Sequence, residues 1–152
     1  MKNRAAFDGP LGRLVLCEEG GAITRLEWSE AAVDGDGSDL LTEACHQLAG
    51  YFAGDLKVFD LPIAFQTGLT GAVMRAIYAI PFGQTRTYGD LSKKLGVSAQ
   101  AIGQACGANP VPLIVPCHRI LGSTGLGGFS APGGVETKVA LLRHEGAASL
   151  LI

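Results

Sequence analysis

The chain has 152 residues, of which 47% are hydrophobic, and a net charge of −2. This length suits one domain or two small ones, and the hydrophobic share is enough to build a core. No apolar run reaches the roughly 18 residues of a membrane span, and the first residues lack the apolar stretch of a secretory signal peptide. We therefore expect a soluble, cytoplasmic protein.

The two halves of the chain carry opposite charge. Residues 1–65 contain five Lys/Arg and eleven Asp/Glu, a net charge of −6, whereas residues 66–152 contain seven and three, a net charge of +4. A basic half is typical of contact with a polyanion, although ordinary scatter of charges produces the same pattern. We predict an N-terminal α/β domain over 1–65 and a second domain over 66–152.

The first domain begins with strand patterns. Two runs, 11–19 and 22–28, flank Gly20-Gly21 and predict a β-hairpin. Apolar residues at helical spacing predict a helix from Leu40 to Tyr51, and residues 57–63 are predicted to form a strand or an extended link.

The second domain has mostly helical patterns. Helices are predicted over 70–80 and 135–145, and between them two shorter helices, capped by Thr87 and Ser98, are joined by a tight turn. These proportions fit a helix-turn-helix, although many helical hairpins share them without touching DNA. The predicted fold class is α/β (α+β): a small sheet-and-helix domain followed by a mainly helical domain of winged helix-turn-helix type.

The second short helix, residues 99–106, is rich in small side chains and has only Gln100 and Gln104 as long polar groups. Small residues permit close approach, either to another helix in the core or to a nucleic-acid backbone. A helix that reads the major groove normally uses long polar side chains. This composition favours contact that does not depend on base sequence.

The segment VPCHRI, residues 115–120, places a cysteine beside a histidine. The chain's four cysteines form no C-x-x-C pair, which argues against a disulfide scaffold or a zinc ribbon. Cys45-His46 and Cys117-His118 are a further candidate for two metal-binding pairs, although adjacent residues rarely bind the same metal. Otherwise Cys117 is either a buried structural thiol or a nucleophile, and a thiol with an ordinary pKa is only about 3% ionised at pH 7. Nucleophilic activity needs a base or a positive field, which His118 and Arg119 can supply, and Glu145 can orient the histidine. In that case we expect the pKa of Cys117 to be depressed.

The sequence resembles the O6-alkylguanine-DNA alkyltransferases, also called methylated-DNA–protein-cysteine methyltransferases. The resemblance rests on Pro116-Cys117-His118-Arg119-Ile120 preceded by Asn109-Pro110, on Ile80-Pro81-Phe82-Gly83, Tyr88-Gly89 and Ala101-Ile102-Gly103, and on Leu141-Leu142-Arg143-His144-Glu145-Gly146. Residues 69–146 resemble the catalytic domain of that family, and residues 1–63 resemble its variable N-terminal domain more weakly.

The resemblance implies DNA repair by irreversible transfer of an alkyl group from O6-alkylguanine, with O4-alkylthymine as a further candidate, to a cysteine that reacts once. It implies a monomer that contacts double-stranded DNA through the minor groove without sequence preference and rotates the damaged base out of the helix. Neither a cofactor nor a metal is expected.

The resemblance also assigns roles to individual residues. In the catalytic set, Cys117 is the nucleophile, His118 is the base that acts through water, and Glu145 is the partner of His118. Tyr88 contacts the phosphate and the leaving base, and Asn109 shapes the turn before the active site. The expected DNA contacts are Thr87, Tyr88, Gln100, Ala101, Gly103 and Arg119. The expected substrate pocket contains Pro116, Ile120, Phe129 and Ser130.

Two positions depart from the family pattern. Gln100 stands where the family has an arginine that fills the gap left by the flipped base, and Phe129 stands where a tyrosine is common. The first departure keeps open an alternative, an alkyltransferase-like protein that binds lesions with weak or no transfer, although such proteins typically lack the cysteine. A thiol hydrolase that turns over many times is a further alternative.

Overall fold

The computed structural model describes residues 2–33, 37–122, 125–129 and 133–147. The chain divides into two compact units, residues 1–64 and 65–152. No helix in these described ranges is long and apolar enough to cross a membrane.

The first unit contains a three-stranded antiparallel sheet in the order β1 (Lys2–Gly9), β2 (Gly12–Glu19) and β3 (Ala22–Trp28). The predicted hairpin corresponds to β2 and β3. The outer strand β1 was not predicted, because its sequence KNRAAFDG has only a weak apolar alternation. Its side chains are accordingly exposed or half-buried, while β2 supplies four consecutive buried residues.

Helix α1 (Asp39–Phe52) packs on β1 and β2. Ser38 begins it, because its hydroxyl accepts a hydrogen bond from the Leu41 amide at 3.1 Å. The buried face of the helix carries Leu41, Ala44, Leu48 and Tyr51, all fully shielded from solvent. Residues 57–63 form the extended link of the prediction, with one isolated bridge between Ile63 and Ile23.

The second unit begins with helix α2 (Gly68–Tyr78), the short strand β4 (Arg86–Thr87), and helices α3 (Tyr88–Leu95) and α4 (Ala99–Gly107). Helix α4 packs against both α2 and α3. The two short helices have the predicted caps: the Thr87 hydroxyl accepts from the Asp90 amide and the Ser98 hydroxyl accepts from the Ala101 amide. Gly96 ends α3 in the left-handed conformation, with φ of 71°.

The chain then passes through a loop to a 3₁₀ turn, Cys117–Arg119, and continues into strand β5 (Ile120–Leu121) and helix α5 (Val135–His144). Strands β4 and β5 pair in parallel, with Arg86 opposite Ile120 and Thr87 opposite Leu121. This pairing brings the start of α3 beside the segment that follows the 3₁₀ turn. A small antiparallel sheet with one helix, followed by a mainly helical unit, confirms the predicted fold class.

A buried ion pair connects three parts of the second unit. The Arg119 guanidinium donates to both carboxylate oxygens of Glu145, from Nε at 2.8 Å and from Nη2 at 3.0 Å, and its Nη1 donates to the Ile80 carbonyl at 2.7 Å. The side-chain exposure is 7% for Arg119 and 0% for Glu145. The pair therefore joins the end of α2, the 3₁₀ turn and the end of α5 in the protein interior.

Replacing Glu145 by glutamine should lower the free energy of unfolding by about 3–5 kcal/mol at pH 7, because Arg119 would remain buried without its anion. Hydrogen bonds hold the folded pKa of Glu145 below its usual value, so its contribution is complete above the unfolded pKa and is lost progressively as pH falls toward the folded one. The deficit should thus shrink by about 1–2 kcal/mol between pH 7 and pH 3. Urea unfolding at both pH values measures it.

The matched control is Glu136→Gln, which changes the same charge at an exposed position in the first turn of α5. That variant should cost no more than about 1 kcal/mol. A Glu145→Gln deficit as small as the control's, or one identical at the two pH values, would contradict the role given to the buried ion pair.

Candidate active site

The loop before Cys117 is shaped by the buried side chain of Asn109. Its Oδ1 accepts from the Val111 amide and its Nδ2 donates to the Val115 carbonyl, both at 3.0 Å. Between these points Leu113 adopts a left-handed φ of 75°, which is rare for a residue with a branched side chain. The amide of Asn109 thus closes a tight turn that delivers the chain to Cys117.

Cys117 begins the 3₁₀ turn and lies almost entirely inside the protein, with 7% of its surface exposed. Burial raises the pKa of the Cys117 thiol to about 11, although a hydrogen bond from Asn109 and the charge of Lys138 act in the opposite direction. The expectation of a depressed pKa was wrong, because removal of water from the thiolate outweighs the favourable neighbours. The resting cysteine is a neutral thiol.

His118 is completely buried, and the distance between its Nε2 and Oε2 of Glu145 is 2.7 Å. Burial alone would raise the pKa of Glu145, but hydrogen bonds from His118 and Arg119 hold that pKa well below its usual range. Burial lowers the pKa of His118, against the influence of Glu145. The imidazole is therefore neutral beside an ionised carboxylate, and this requires the proton on Nε2.

The other ring nitrogen of His118, Nδ1, is buried and accepts no hydrogen bond from a described residue. With Nε2 protonated, Nδ1 carries the free lone pair of the ring. The arrangement leaves a basic nitrogen on the residue next to the thiol, oriented from its far side by Glu145.

A cavity of about 430 Å³ opens beside Cys117. Its described lining consists of Tyr88, Gly103, Cys106, Gly107, Cys117, Gly128 and Phe129. That volume suits a small organic ligand or a single nucleobase. Tyr88 and Phe129 supply aromatic surface, and the absence of side chains at three glycines of this lining leaves the space open.

Two lining or neighbouring residues were not anticipated from the sequence. Cys106 contributes a second thiol to the cavity, and burial raises the pKa of that thiol to about 12. Lys138 is fully buried on α5, where its Nζ donates to the Ile120 carbonyl at 2.6 Å and also to the carbonyl of Leu126. Helical spacing could have indicated both positions. Cys106 is three residues from Gly103 and so lies on the same face of α4, and Lys138 is three residues from the buried Leu141 on α5.

Several predicted DNA contacts lie on the accessible part of α3 and α4. Gln100 is exposed, Ala101 and Gly103 are half-buried, and Thr87 is half-buried at the start of α3. Arg119 does not lie with them. Its guanidinium is buried and bound to Glu145 and the Ile80 carbonyl, so the expectation that it contacts DNA is corrected.

The predicted pocket residues have different locations. Phe129 lines the cavity. Pro116 and Ile120 are buried near Cys117 in the chain, and neither is among the described residues that line the cavity. Ser130 lies outside the described residues. Pro116 and Ile120 therefore support the turn, and the described wall of the cavity comes mainly from α4 and residues 128–129.

Comparison with known proteins agrees with this architecture. Residues 69–147 match the family model for the 6-O-methylguanine DNA methyltransferase DNA binding domain, and residues 4–65 match the model for the ribonuclease-like domain of the same enzymes. The methylated-DNA–protein-cysteine methyltransferase of Methanosarcina acetivorans is 37% identical over 155 residues, which covers 93% of this chain and 97% of that protein.

Solved structures give the same result. The Mycobacterium tuberculosis O6-methylguanine methyltransferase superposes with a TM-score of 0.86 at 34% identity, covering 97% of this chain and 94% of that one. Mycobacterium tuberculosis OGT in complex with DNA gives a TM-score of 0.84 at 36% identity, covering 95% and 93%. The chain belongs to the 6-O-methylguanine DNA methyltransferase family.

Proposed function

We propose that this protein repairs DNA by transferring an alkyl group irreversibly from O6-alkylguanine to Cys117. The observation that carries the proposal is the placement of the Cys117 thiol in a cavity, next to a histidine in which one ring nitrogen has no hydrogen-bond partner among the described residues and the other contacts an ionised carboxylate. A relative of this chain bears the name methylated-DNA–protein-cysteine methyltransferase, and another has been solved in complex with DNA.

The chemistry is a displacement at the alkyl carbon. The sulfur of Cys117 forms a bond to that carbon as the bond from the carbon to O6 breaks, and the guanine leaves with the electron pair. With a thiol pKa of about 11, only on the order of one molecule in ten thousand carries a thiolate at pH 7, so a base must remove the proton. Nδ1 of His118 is that base, acting through water, and Glu145 stabilises the imidazolium that results.

Tyr88 assists the departure of the base. It lies at the first position of α3 and lines the cavity, where burial raises the pKa of its hydroxyl further above neutrality. A hydroxyl that stays protonated can donate a hydrogen bond to the guanine as negative charge develops on it. The thioether formed on Cys117 does not hydrolyse, so each molecule acts once and needs no cofactor.

The DNA contact is expected through α3 and α4. A helix with small exposed side chains suits close approach to the minor groove, and rotation of the damaged base out of the stack is required for the O6 substituent to reach a buried thiol. Contact is independent of sequence, because α4 offers only Gln100 and Gln104 as long polar groups. We propose a cytoplasmic monomer on double-stranded DNA.

The first prediction from this function concerns the cysteine that accepts the alkyl group. After incubation with an oligonucleotide containing O6-methylguanine, the intact protein should gain one methyl group, in proportion to product and without turnover. Because there is no Lys or Arg between Lys94 and Arg119, trypsin leaves Cys106 and Cys117 in one peptide. Fragment spectra must therefore separate them, and we expect the methyl group on Cys117.

The control variants are Cys117→Ala, which should gain no methyl group, and Cys106→Ala, which should keep the reaction. A methyl group on Cys106 would contradict the assignment. Binding of methylated DNA without any mass gain would favour the lesion-binding alternative, and many turnovers per thiol would favour the hydrolase.

A second prediction concerns salt. The basic residues of the second unit supply the DNA contact, except Arg119, which is paired with Glu145 in the interior. The logarithm of the association constant for DNA should therefore fall linearly with the logarithm of the salt concentration, with a slope that corresponds to about three to five neutralised phosphates. Fluorescence anisotropy with two unrelated undamaged duplexes measures it. An affinity that does not change with salt, or that differs strongly between the duplexes, would argue against this mode of contact.

The third prediction concerns Gln100, which is exposed on α4. An arginine inserted at this position would add a charge and a plane that stacks where the flipped base was, which offsets lost base stacking of about a few kcal/mol. We expect Gln100→Arg to accelerate repair of duplex DNA about tenfold, which is worth about 1.4 kcal/mol, to accelerate repair of a single strand less, and to leave the rate with free O6-benzylguanine within about twofold.

The matched control is Gln104→Arg, which adds the same charge to another exposed position of α4. If the two variants accelerate duplex repair equally, the gain comes from general electrostatic attraction. Equal changes on all three substrates, or no gain on duplex DNA, would show that Gln100 does not fill the gap.

A further inference from the structure

Lys138 occupies an unusual position for a lysine. It lies in the middle of α5 with no exposed surface, on the same helix face as the buried Leu141 and Leu142. Its ammonium group donates to three main-chain carbonyls, those of Ile120 at 2.6 Å, Leu126, and Gly128 at 3.2 Å. An ammonium group has three donors, so all three are used on the backbone.

The charge of Lys138 has no carboxylate partner among the described residues. In the described parts of the second unit the buried carboxylate of Glu145 is paired with Arg119, and no carboxylate of a described residue lies within ion-pair distance of Lys138. An uncompensated buried cation is costly, and burial accordingly lowers the pKa of Lys138 to about 8. The groups that favour its charged form are the thiols of Cys117 and Cys106, when ionised.

The same contacts hold part of the cavity wall. The carbonyls that Lys138 binds flank Gly127, whose backbone lies so close to Tyr88 that an added Cβ would stand 3.1 Å from its ring. Gly128, one of the three acceptors, lines the cavity together with the following residue, Phe129. One buried side chain therefore connects β5, which follows the 3₁₀ turn, to the segment that contacts Tyr88.

We propose that Lys138 is a positioning residue of the transfer reaction: its ammonium group stabilises the Cys117 thiolate as the proton leaves and fixes the 126–128 backbone along the cavity. The reaction in this inference is the proposed alkyl transfer, so that part rests on the proposed function. The position of Lys138 rests on its own hydrogen bonds. The thiolate is the anion that balances the buried cation, and in the resting protein it is only a small fraction of the sulfur.

The described titratable groups that interact electrostatically with this cation are Cys106 from α4 and Cys117 and His118 from the 3₁₀ turn. Arg119 and Glu145 act on the same site through His118, and Tyr88 lies across the cavity from Gly128. Lys138 favours the thiolate of Cys117, and it disfavours the protonated form of His118. The ionised Glu145 in contact with His118 opposes the second effect.

This arrangement gives the thiol a distinctive dependence on pH. Below about pH 8, where Lys138 is charged, the thiolate fraction should rise tenfold per pH unit. Above that pH the predominant form has a neutral amine and a neutral thiol, which holds the same number of protons as the ammonium–thiolate pair. The thiolate fraction should then stop rising, because the two forms interconvert without gain or loss of a proton.

The test is the rate of iodoacetamide reaction at Cys117 between pH 6 and pH 9.5, followed by fragment mass spectrometry. Wild type should show the inflection near pH 8. In Lys138→Met the inflection should disappear, and the rate at pH 7 should fall at least tenfold. Lys2→Met, which removes an exposed charge from β1, should behave as wild type within twofold. A straight wild-type profile, or an inflection that survives in Lys138→Met, overturns the proposal.

The second measurement is the single-turnover rate of methyl transfer under saturating protein, where DNA affinity does not contribute. Lys138→Met should lower it at least tenfold, and a rate within twofold of wild type overturns the proposal. If that variant does not fold, Lys138→Arg replaces it, since a permanent charge should give an uninterrupted rise through pH 8; the wild-type inflection in that variant overturns the proposal. Iodoacetamide requires no DNA, so failure of wild type to accept a methyl group would refute the proposed function separately.

Discussion

The bidentate contact between Arg119 and Glu145 is the interaction on which the site depends. A carboxylate taken out of water normally becomes protonated, and a protonated Glu145 would compete with His118 for the role of donor. The two hydrogen bonds from the guanidinium keep the carboxylate ionised, and an ionised carboxylate can only accept. His118 must then present its proton at Nε2, which leaves on Nδ1 the lone pair that the proposed reaction needs as its base. The tautomer that the chemistry requires is thus imposed by an arginine that has no part in the bond changes.

Burial, which allows the Arg119–Glu145 pair to fix the tautomer of His118, also keeps the Cys117 thiol inactive at rest. Reactive cysteines are usually partly exposed and held as thiolates by a positive field, and they are correspondingly prone to oxidation. Cys117 is instead a buried neutral thiol, because desolvation exceeds the favourable effects of Asn109 and Lys138. For a protein whose sulfur can be used only once, an inert resting state prevents loss of the acceptor to small electrophiles. In the proposed reaction, transfer then requires a substrate in the cavity while His118 takes the proton from the thiol.

Sequence was a good guide where structure is decided locally. Thr87 and Ser98 act within one helical turn, and their roles were predicted correctly because capping depends on neighbours in the chain. The partnership of His118 with Glu145 spans 27 residues, so the residue types suggested it as a possibility and the resemblance to a family made it specific.

Whether a side chain points into the interior or toward solvent was harder to predict. Arg119 follows His118 directly, and adjacent residues are expected to point in different directions, yet a 3₁₀ turn surrounded by protein buries both. Lys138 was missed because lysine is seldom fully buried, so its helical spacing from Leu141 was given no weight. The strand β1 was missed because its side chains are only half-buried and its pattern is correspondingly weak.

The charge of the interior changes in a specific order during the proposed reaction. At rest the described buried groups contain one ion pair and the additional cation Lys138, with a neutral sulfur nearby. After transfer the sulfur is again neutral, as a thioether. Only between these states does it carry negative charge, so the attraction of Lys138 for the sulfur is present in the reacting state and absent from both stable ones. An interaction made in that state alone lowers the barrier without stabilising reactant or product. A buried cation that no described carboxylate balances is therefore destabilising for the fold and useful for the proposed chemistry. Because the reaction occurs once per molecule, no later step requires that cation to be neutralised.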